Sequence, residues 1–313
     1  MADKLLPDRY KQTDFFIVDI FDSFKDDIAS MENPVFSLSK KPDHRMLVYE
    51  NNGNTIKIKP SYTGLATIFD KDILLYLASS LMNAKNIGQP VSQFVRFTSY
   101  DYFVSTNKGT GGIQYKQIVE SLERLKGTVI QTNIKTNGKE TTKEFGLIEE
   151  WGAVKEDNTG KAIAIEVKLS DWFYNSILGD EVLTINKDYF RIRKPTERRI
   201  YELARKHCGN QTAWKIKLEN LRIKLGTTAT LKKLRFNLRA LAESNHLPEY
   251  NISLDDDVVS FSRKEPPKEN KPPSHLPVHI SDKEVKADGG RPGESTKEVK
   301  ERLANIKLNL GRK

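Results

Sequence analysis

Apolar residues recur at helical spacing in three consecutive stretches of the first half of the chain. Asp70–Asn86 is the clearest, because its leucines and isoleucines form one stripe and Gly88 follows its end. Ser99–Thr106 and Ile113–Lys126 come next, and Gly111 stands just before the second of these. The pattern predicts three successive helices.

Runs typical of strands lie on either side of these helices. Residues 46–59 predict one hairpin around Asn52-Gly53, and Thr128–Lys135 with Thr141–Trp151 predict another around Asn137-Gly138. Asn-Gly favours the tight turns that join antiparallel strands. Three helices followed by a hairpin is the order of a winged helix.

The same order recurs in the second half of the chain. Thr196–Cys208, Leu218–Leu225 and Thr230–Ser244 have helical spacing, and each is followed by a residue that ends helices or by a loop. Two short strand-like runs, Tyr250–Leu254 and Val258–Ser262, then form a predicted hairpin.

The spacing of the two halves supports an internal repeat. The predicted third helices begin at Ile113 and Leu231, and the predicted turns fall at Asn137 and Asp255, so both offsets are 118 residues. A repeated order of elements with little identity is a repeat of architecture. We therefore predict an α+β fold of two tandem winged-helix domains.

The predicted boundaries divide the chain into four parts. Residues 1–160 form an N-terminal winged helix for dimerisation or DNA binding, 161–193 a connecting segment, 194–263 a DNA-binding winged helix and 264–313 a basic tail. We expect the tail to be disordered, because its proline, lysine and glutamate cannot build a core. Asp14–Ile28 has the pattern of an amphipathic helix with an acidic face, which covers a core or docks a partner.

Composition excludes several classes of protein. Cys208 is the single cysteine among 313 residues, which excludes an internal disulfide and a cysteine-based zinc site and fits the cytoplasm. No apolar run approaches the ~18 residues of a membrane helix, and the N-terminus lacks a signal-peptide pattern. The histidines form no H-x-H or H-E-x-x-H, and the glycines of Lys108–Gly112 lack the order of a phosphate-binding loop. We therefore expect no cofactor, no metal and no enzymatic activity.

The net charge of +9 is distributed unevenly. Arg191–Arg239 holds fifteen Lys and Arg and three Glu, whereas Ala240–Phe261 holds five acids and no Lys or Arg. Such a local surplus indicates a polyanion partner, although a solvated helical surface is the alternative. We favour double-stranded DNA.

The predicted third helix of the second half has the strongest pattern for DNA binding. Its leucines share one arc, and the opposite side is cationic, which suits a major groove about 12 Å wide. There arginine binds guanine, asparagine binds adenine and lysine contacts phosphate. Phe236 either touches a thymine methyl group or packs under the wing. The predicted DNA contacts of this helix are Lys232, Lys233, Arg235, Asn237 and Arg239.

Further DNA contacts are predicted on other elements, with less support. In the second half they are Arg198, Arg199, Lys206, Lys215, Lys217, Arg222 and Lys224. In the first half they are Lys116, Gln117 and Arg124 on the third helix and Lys139 near the hairpin tip. Glu120 and Glu123 share that third helix, so it fits a protein partner equally well. The acidic turn Asp255–Asp257 would repel phosphate.

Longer blocks of sequence carry a family resemblance. They include Gly64–Ile68, Arg124–Thr128, Leu169–Phe173, Asp188–Pro195 and Glu197–Gly209. Together with neighbouring residues these blocks resemble the plasmid replication initiator RepA family over roughly residues 10–262. Ordered blocks of this length are more specific than any short motif.

The resemblance implies a replication initiator with winged-helix domains that is not an enzyme. Similar proteins bind repeated sites, called iterons, at a plasmid origin, open nearby duplex and recruit the host initiator and replicative helicase. They also interconvert between homodimer and monomer. A winged-helix transcriptional regulator is the alternative, and a rolling-circle nickase is disfavoured because the histidine pair is missing.

Overall fold

The computed structural model describes residues 5–10, 24–27, 30–31, 33–51, 53–135, 137–138, 144–155, 162–209 and 211–264. The described residues up to Lys264 belong to one compact unit. Several sequence predictions therefore fall wholly or partly outside the described residues. They are Lys139, residues 14–23 and Ile28 of the predicted N-terminal helix, Asn52 and Thr141–Lys143 of the two predicted hairpins, and the tail from residue 265 onward.

Besides Ser30 and Met31, which are helical, the described residues form seven α-helices, one 3-10 helix and twelve strands. The helices are α1 (Lys71–Asn86), α2 (Ser99–Ser105), α3 (Gly112–Gly127), α4 (Asp171–Leu178), η1 (Lys187–Arg191), α5 (Pro195–Cys208), α6 (Leu218–Leu225) and α7 (Leu231–Ser244). The strands are β1 (Phe24–Asp27), β2 (Leu47–Asn51), β3 (Asn54–Lys59), β4 (Phe94–Phe97), β5 (Val129–Thr132), β6 (Phe145–Gly146), β7 (Ile148–Lys155), β8 (Ala162–Leu169), β9 (Val182–Ile185), β10 (Ala213–Lys217), β11 (Tyr250–Asp255) and β12 (Val258–Arg263). The predicted helices of both halves are present, within a residue or two at each end.

Helices α1 to α3 share one part of the fold with a three-stranded antiparallel sheet. The sheet order is β4-β8-β7, so β8 is central and pairs with both neighbours. Strand β4 lies between α1 and α2, and the hairpin β7–β8 follows α3. Strands β2, β3, β5 and β6 form a separate sheet, and without them the order of elements from α1 to β8 is helix, strand, helix, helix and hairpin.

This hairpin differs from the one that the sequence predicts. The sequence places Ala162–Leu169 in the connecting segment, whereas it is the central strand β8. The pairing predicted around Asn137 is reduced to the short contact of β5 with β6, which lies in a second sheet, β2-β3-β5-β6. Strand β3 holds β5 there by pairing Ile56–Lys59 with Val129–Thr132. The equal spacing of the two predicted turns is therefore a coincidence.

The arrangement of the first half recurs around α5, α6 and α7. Strand β10 lies between α5 and α6, and the hairpin β11–β12 follows α7. The sheet order β10-β12-β11 repeats the relation of β4-β8-β7. The predicted repeat is therefore present in the topology. Sequence analysis missed β4 and β10 because four or five alternating residues are too short a signal.

Two clusters of buried apolar side chains stabilise the unit. One draws on residues from Val35 to Ile177, and the other joins Met31 and Leu75 to residues between Ile185 and Phe261. Helix α1 contributes to both clusters, because successive side chains on a helix point about 100° apart. The predicted domain boundaries stay a prediction.

Strand β1 stands where the predicted N-terminal helix would end. Phe24–Asp27 pairs antiparallel with Val182–Ile185, and Phe24 lies opposite Ile185. Backbone groups that bond to another strand cannot also make helical hydrogen bonds. The helix prediction is therefore wrong for these four residues, since pairing across the fold outweighs local periodicity.

Candidate nucleic-acid interface

Helix α7 is oriented by its buried face and by caps at both ends. Leu234, Leu238 and Leu241 are at most 3% exposed and fix one side of the helix in the core. At the start, the Thr230 hydroxyl accepts a hydrogen bond from the backbone N–H of Lys233 at 3.3 Å. At the end, Asn245 takes the left-handed conformation that closes many helices.

The opposite face of α7 is open to solvent and cationic. The exposed side chains are Lys232, Lys233, Phe236, Asn237 and Arg239, and Arg235 is half-buried at the flank. Phe236 is 65% exposed and therefore does not pack under the hairpin. The ammonium of Lys233 lies 5.1 Å from the centre of the Phe236 ring. The helix thus presents the predicted side chains outward, while their contact with DNA stays a prediction.

Arg235 is held by the acidic turn that follows β11. Its Nη2 donates a hydrogen bond to Oδ1 of Asp257. Because Arg235 stands at the flank of the cationic face of α7, this contact places the turn beside that face.

The remaining predicted cations of the second half differ in accessibility. Lys215 and Lys217 are exposed on β10, opposite Ser260 and Val258 of β12. Lys206, Arg222 and Lys224 are half-buried, and Nε of Arg222 is buried without a hydrogen-bond partner among the described residues. The first two cations are therefore the better placed of these five for phosphate.

Arg198 is not available to DNA, contrary to the sequence prediction. Its side chain is 4% exposed, and Nη1 donates to Oδ1 of Asp72 at 2.5 Å. Nε and Nη2 donate to the carbonyl oxygens of Ile192 and Phe190 at 3.0 and 3.1 Å. Burial alone would lower the pKa of Arg198, but Asp72 together with Tyr189 and Tyr102 outweighs that effect and holds the pKa above its ordinary value. All three nitrogens have partners inside the protein.

Arg199 is also buried, at 3% exposure. Its Nη1 donates to Glu202 Oε2 at 3.0 Å and to the carbonyl oxygens of Ser30 and Met31, each at 2.9 Å. The ammonium of Lys71 lies 3.1 Å from Glu202 Oε1. Burial alone would raise the pKa of Glu202, but Lys71 and Arg199 outweigh it and lower that pKa. The DNA contact predicted for Arg199 is therefore wrong for this fold.

Arg124, one of the DNA contacts predicted on the third helix of the first half, is bound to a carboxylate. Its Nε and Nη2 donate to the two oxygens of Asp70 at 2.8 and 2.7 Å, the bidentate geometry that would otherwise serve a guanine. That hydrogen bond to Asp70 raises the pKa of Arg124. Lys116 and Gln117 remain exposed on α3, and Lys116 lies 3.9 Å from Glu120. Helix α3 therefore offers a more mixed surface than α7.

Sequence analysis missed the partner residues of these buried cations. Three consecutive residues at the start of α1 contact three different parts of the fold: Asp70 binds Arg124, Lys71 binds Glu202, and Asp72 binds both Lys108 and Arg198. Their side chains are almost fully buried. The sequence does show three charged residues, Asp70, Lys71 and Asp72, at the start of an apolar helix. From the sequence alone, such residues are expected to be exposed to solvent in the first helical turn.

The described ranges lack two other features, a membrane-spanning helix and a metal-binding cluster. No helix there is long and apolar enough to cross a membrane. No group of three or more His, Cys, Asp or Glu side chains there is placed to hold a metal ion.

Three comparisons identify relatives of the chain. A family model described as "Replication initiator protein A" matches residues 25–252. A protein of Wigglesworthia glossinidia brevipalpis named "Putative replication protein" is 43% identical over 261 residues, which cover 81% of this chain and 94% of that protein. The crystal structure of domains 2 and 3 of RctB matches with a TM-score of 0.54 at 14% identity, covering 76% of this chain and 96% of that one, and shows a shared mixed α and β fold. Because the family model spans most of the chain, and 43% identity extends over most of it as well, the chain belongs to the replication initiator protein A family.

Proposed function

We propose that this chain initiates plasmid replication by binding repeated origin sites, or iterons, in double-stranded DNA. Binding would be sequence-specific, promote opening of the origin and bring the host initiator and replicative helicase to it. Membership of the replication initiator protein A family supports the role in initiation. The observation that carries the DNA-binding step is the exposed cationic face of α7 opposite its buried leucines.

Both halves are interpreted as winged helices in this proposal, with β7–β8 and β11–β12 as the wings. Helix α7 enters the major groove, Arg239 and Asn237 meet base edges, and Lys232 and Lys233 contact phosphates. Lys215 and Lys217 add phosphate contacts from β10. Four such contacts correspond to a salt slope of about −3.6 for the logarithm of the binding constant.

The first half is assigned to self-association in the proposal. On α3, Arg124 is occupied by Asp70, and Glu120 shares the surface with Lys116. A face of mixed charge suits a second copy of the chain better than a polyanion. The chain then works as a homodimer and a monomer in equilibrium, in the cytoplasm and on plasmid DNA, without catalysing a reaction.

A binding selection from random duplex DNA tests the proposal. We expect enrichment of a repeated motif spaced by about 10.5 base pairs, one turn of the double helix. Flat enrichment with strongly salt-dependent binding would contradict it, because the basic surface would then bind phosphates alone. A transcriptional regulator would enrich sites in the same way but would not support replication of a plasmid that carries them.

Two variants connect that result to α7. Arg239→Ala is expected to weaken binding to the enriched site by about 1–3 kcal/mol, the value of one bidentate base contact. Lys232→Ala is expected to weaken binding to all sequences and to reduce the salt slope by about one. Unchanged binding in both variants would refute the role of α7.

A further inference from the structure

The acidic turn between β11 and β12 reaches the face of α7 that the proposed function assigns to DNA. Oδ1 of Asp257 accepts a hydrogen bond from Nη2 of Arg235, and the two residues form an ion pair. The Asp257 side chain is 69% exposed and that of Arg235 is 32% exposed. The pair is therefore open to any ligand that lies along α7.

The backbone keeps Asp257 in a defined position. Asp255 pairs with Val258, so Asp256 and Asp257 form a two-residue hairpin turn, in which Asp256 has a φ of 47°. The carbonyl oxygen of Asp257 also accepts a 2.8 Å hydrogen bond from the backbone N–H of Leu218, at the start of α6. The turn is thus anchored to a helix, and its carboxylate stands at a fixed place beside α7.

This ion pair changes how Arg235 can interact with DNA. An unpaired arginine binds the phosphates of every sequence, which raises affinity without adding specificity. The Asp257 carboxylate compensates the positive charge of Arg235 and repels phosphate. Among the described residues, Nε and Nη1 of Arg235 have no hydrogen-bond acceptor, so the guanidinium keeps donors that can reach a base.

We propose that Asp257 is a specificity-determining residue of the DNA interface. It holds the guanidinium of Arg235 in one orientation toward a base edge and keeps it from phosphates. This inference rests on the proposed binding of DNA by α7. It gives the acidic turn a part in recognition, where the sequence alone indicates only repulsion.

The test compares two variants that remove one negative charge from the same turn. Asp257→Asn loses the partner of Arg235. Asp256→Asn is the matched control, because within the described residues Asp256 makes no ion pair with Arg235 and asparagine tolerates a left-handed backbone. Dissociation constants of the full chain are measured with two probes: the duplex that the wild-type chain enriches from a random pool, and the random pool itself.

We expect Asp257→Asn to tighten binding to the random pool and to lower the ratio of specific to random affinity about tenfold. Asp256→Asn is expected to change this ratio less than about twofold. Thermal unfolding confirms that each variant folds, and Asp257→Ser replaces Asp257→Asn if the amide disturbs the turn. Equal changes in the two Asn variants would overturn the proposal, because the effect would then be one of net charge.

A double-mutant cycle isolates the contact itself. In an Arg235→Ala background, Asp257→Asn should leave the affinity ratio unchanged, since its effect acts through Arg235. A full effect of Asp257→Asn in that background would also overturn the proposal. If the wild-type chain enriches no sequence, the proposed function itself is refuted. If the wild-type chain binds specifically and Asp257→Asn has the same ratio of specific to random affinity, only the inference about Asp257 is refuted.

Discussion

Arg198 and Lys232 carry the same charge, and both lie in the most basic segment of the chain, yet folding places them in opposite surroundings. Arg198 is enclosed by Asp72 and two carbonyl oxygens, whereas Lys232 faces solvent on α7. A buried cation bonded to protein groups is needed by the fold, because its removal leaves a partner charge buried and uncompensated, whereas an exposed cation is available to a ligand. Charge density along the sequence does not distinguish these two cases.

Arg198→Ala is expected to destabilise the protein by about 3–5 kcal/mol, because it leaves Asp72 buried with one cation fewer. Lys232→Ala, the matched control, should change the free energy of unfolding by less than about 0.5 kcal/mol. Urea unfolding at neutral pH measures both changes in stability. In DNA titrations of the folded variants we expect the opposite order, with the larger loss of affinity in Lys232→Ala. A larger loss of DNA affinity than of stability in Arg198→Ala would contradict the buried position.

Asp43 provides a pH-dependent contribution to stability. A side-chain hydrogen bond from Arg45 is the main cause that lowers the pKa of Asp43 from 3.8 to about 2, against the opposing effect of burial. Because the folded pKa lies below the unfolded one, the carboxylate stabilises the fold above about pH 4 and loses that effect as the pH falls through about 2.

Asp43→Asn should therefore lower the free energy of unfolding by about 1–2 kcal/mol at neutral pH, a range that allows for solvent screening at the half-exposed Arg45. The difference from wild type should shrink between about pH 4 and pH 2. Denaturant unfolding at a series of pH values measures it. A difference that stays constant over this range would show that the loss does not come from the carboxylate.

At the scale of elements, the end of α6 shows how a helix terminus meets the other half of the fold. Gly226 closes α6 with a φ of 65°, in the left-handed region that favours glycine. A Cβ at this position would lie 2.5 Å from Cβ of Pro34 and 3.0 Å from the hydroxyl of Tyr49. The helix therefore ends at a residue where neither the backbone nor the available space accepts a side chain.

Gly226→Ala is expected to destabilise the protein by more than the ~1 kcal/mol that a left-handed alanine costs. Gly88→Ala is the control, since Gly88 has a φ of 74° after α1 and a Cβ there would meet nothing within 4 Å. Thermal unfolding of the two variants separates backbone strain from the contact with Pro34. Equal losses of stability would mean that Pro34 moves away at no cost.

At the scale of the whole molecule, charged side chains at the start of α1 connect the two halves. Lys71 binds Glu202 and Asp72 binds Arg198, so two ion pairs buried at both partners join α1 to α5. Leu75 of α1 also lies in the second apolar cluster. Separating the halves would break both of these buried ion pairs, which is strongly unfavourable.

We therefore expect the two halves to unfold in one cooperative transition. Trp172 lies in the first apolar cluster and Trp214 packs against the second, so each reports on one half. Variants that keep one of these tryptophans and replace the others with Phe should give the same midpoint by fluorescence. Midpoints that differ between the two reporters would show that the halves unfold independently.

The sequence by itself determined the three helices α1–α3 of the first half, the three helices α5–α7 of the second half, the internal repeat and the cationic face of α7, whereas α4 and η1 were not predicted from it. These features depend on local periodicity: Leu234, Leu238 and Leu241 recur at helical spacing, and any fold that buries them must expose Lys232 and Arg239. The blocks that resemble a replication initiator family were also visible in the sequence, and the match to the replication initiator protein A family confirmed that resemblance.

Only the tertiary structure decided that β7 and β8 form the hairpin after α3 and which cations are buried. Strand β8 is central because it finds β4 and β7, and β5 is drawn to β3, pairings between segments distant in the chain. Arg198, Arg199 and Arg124 are enclosed because carboxylates from α1 and α5 reach them. Asp257 meets Arg235 for the same reason: the free energy of a paired charge depends on neighbours that only the folded chain brings together.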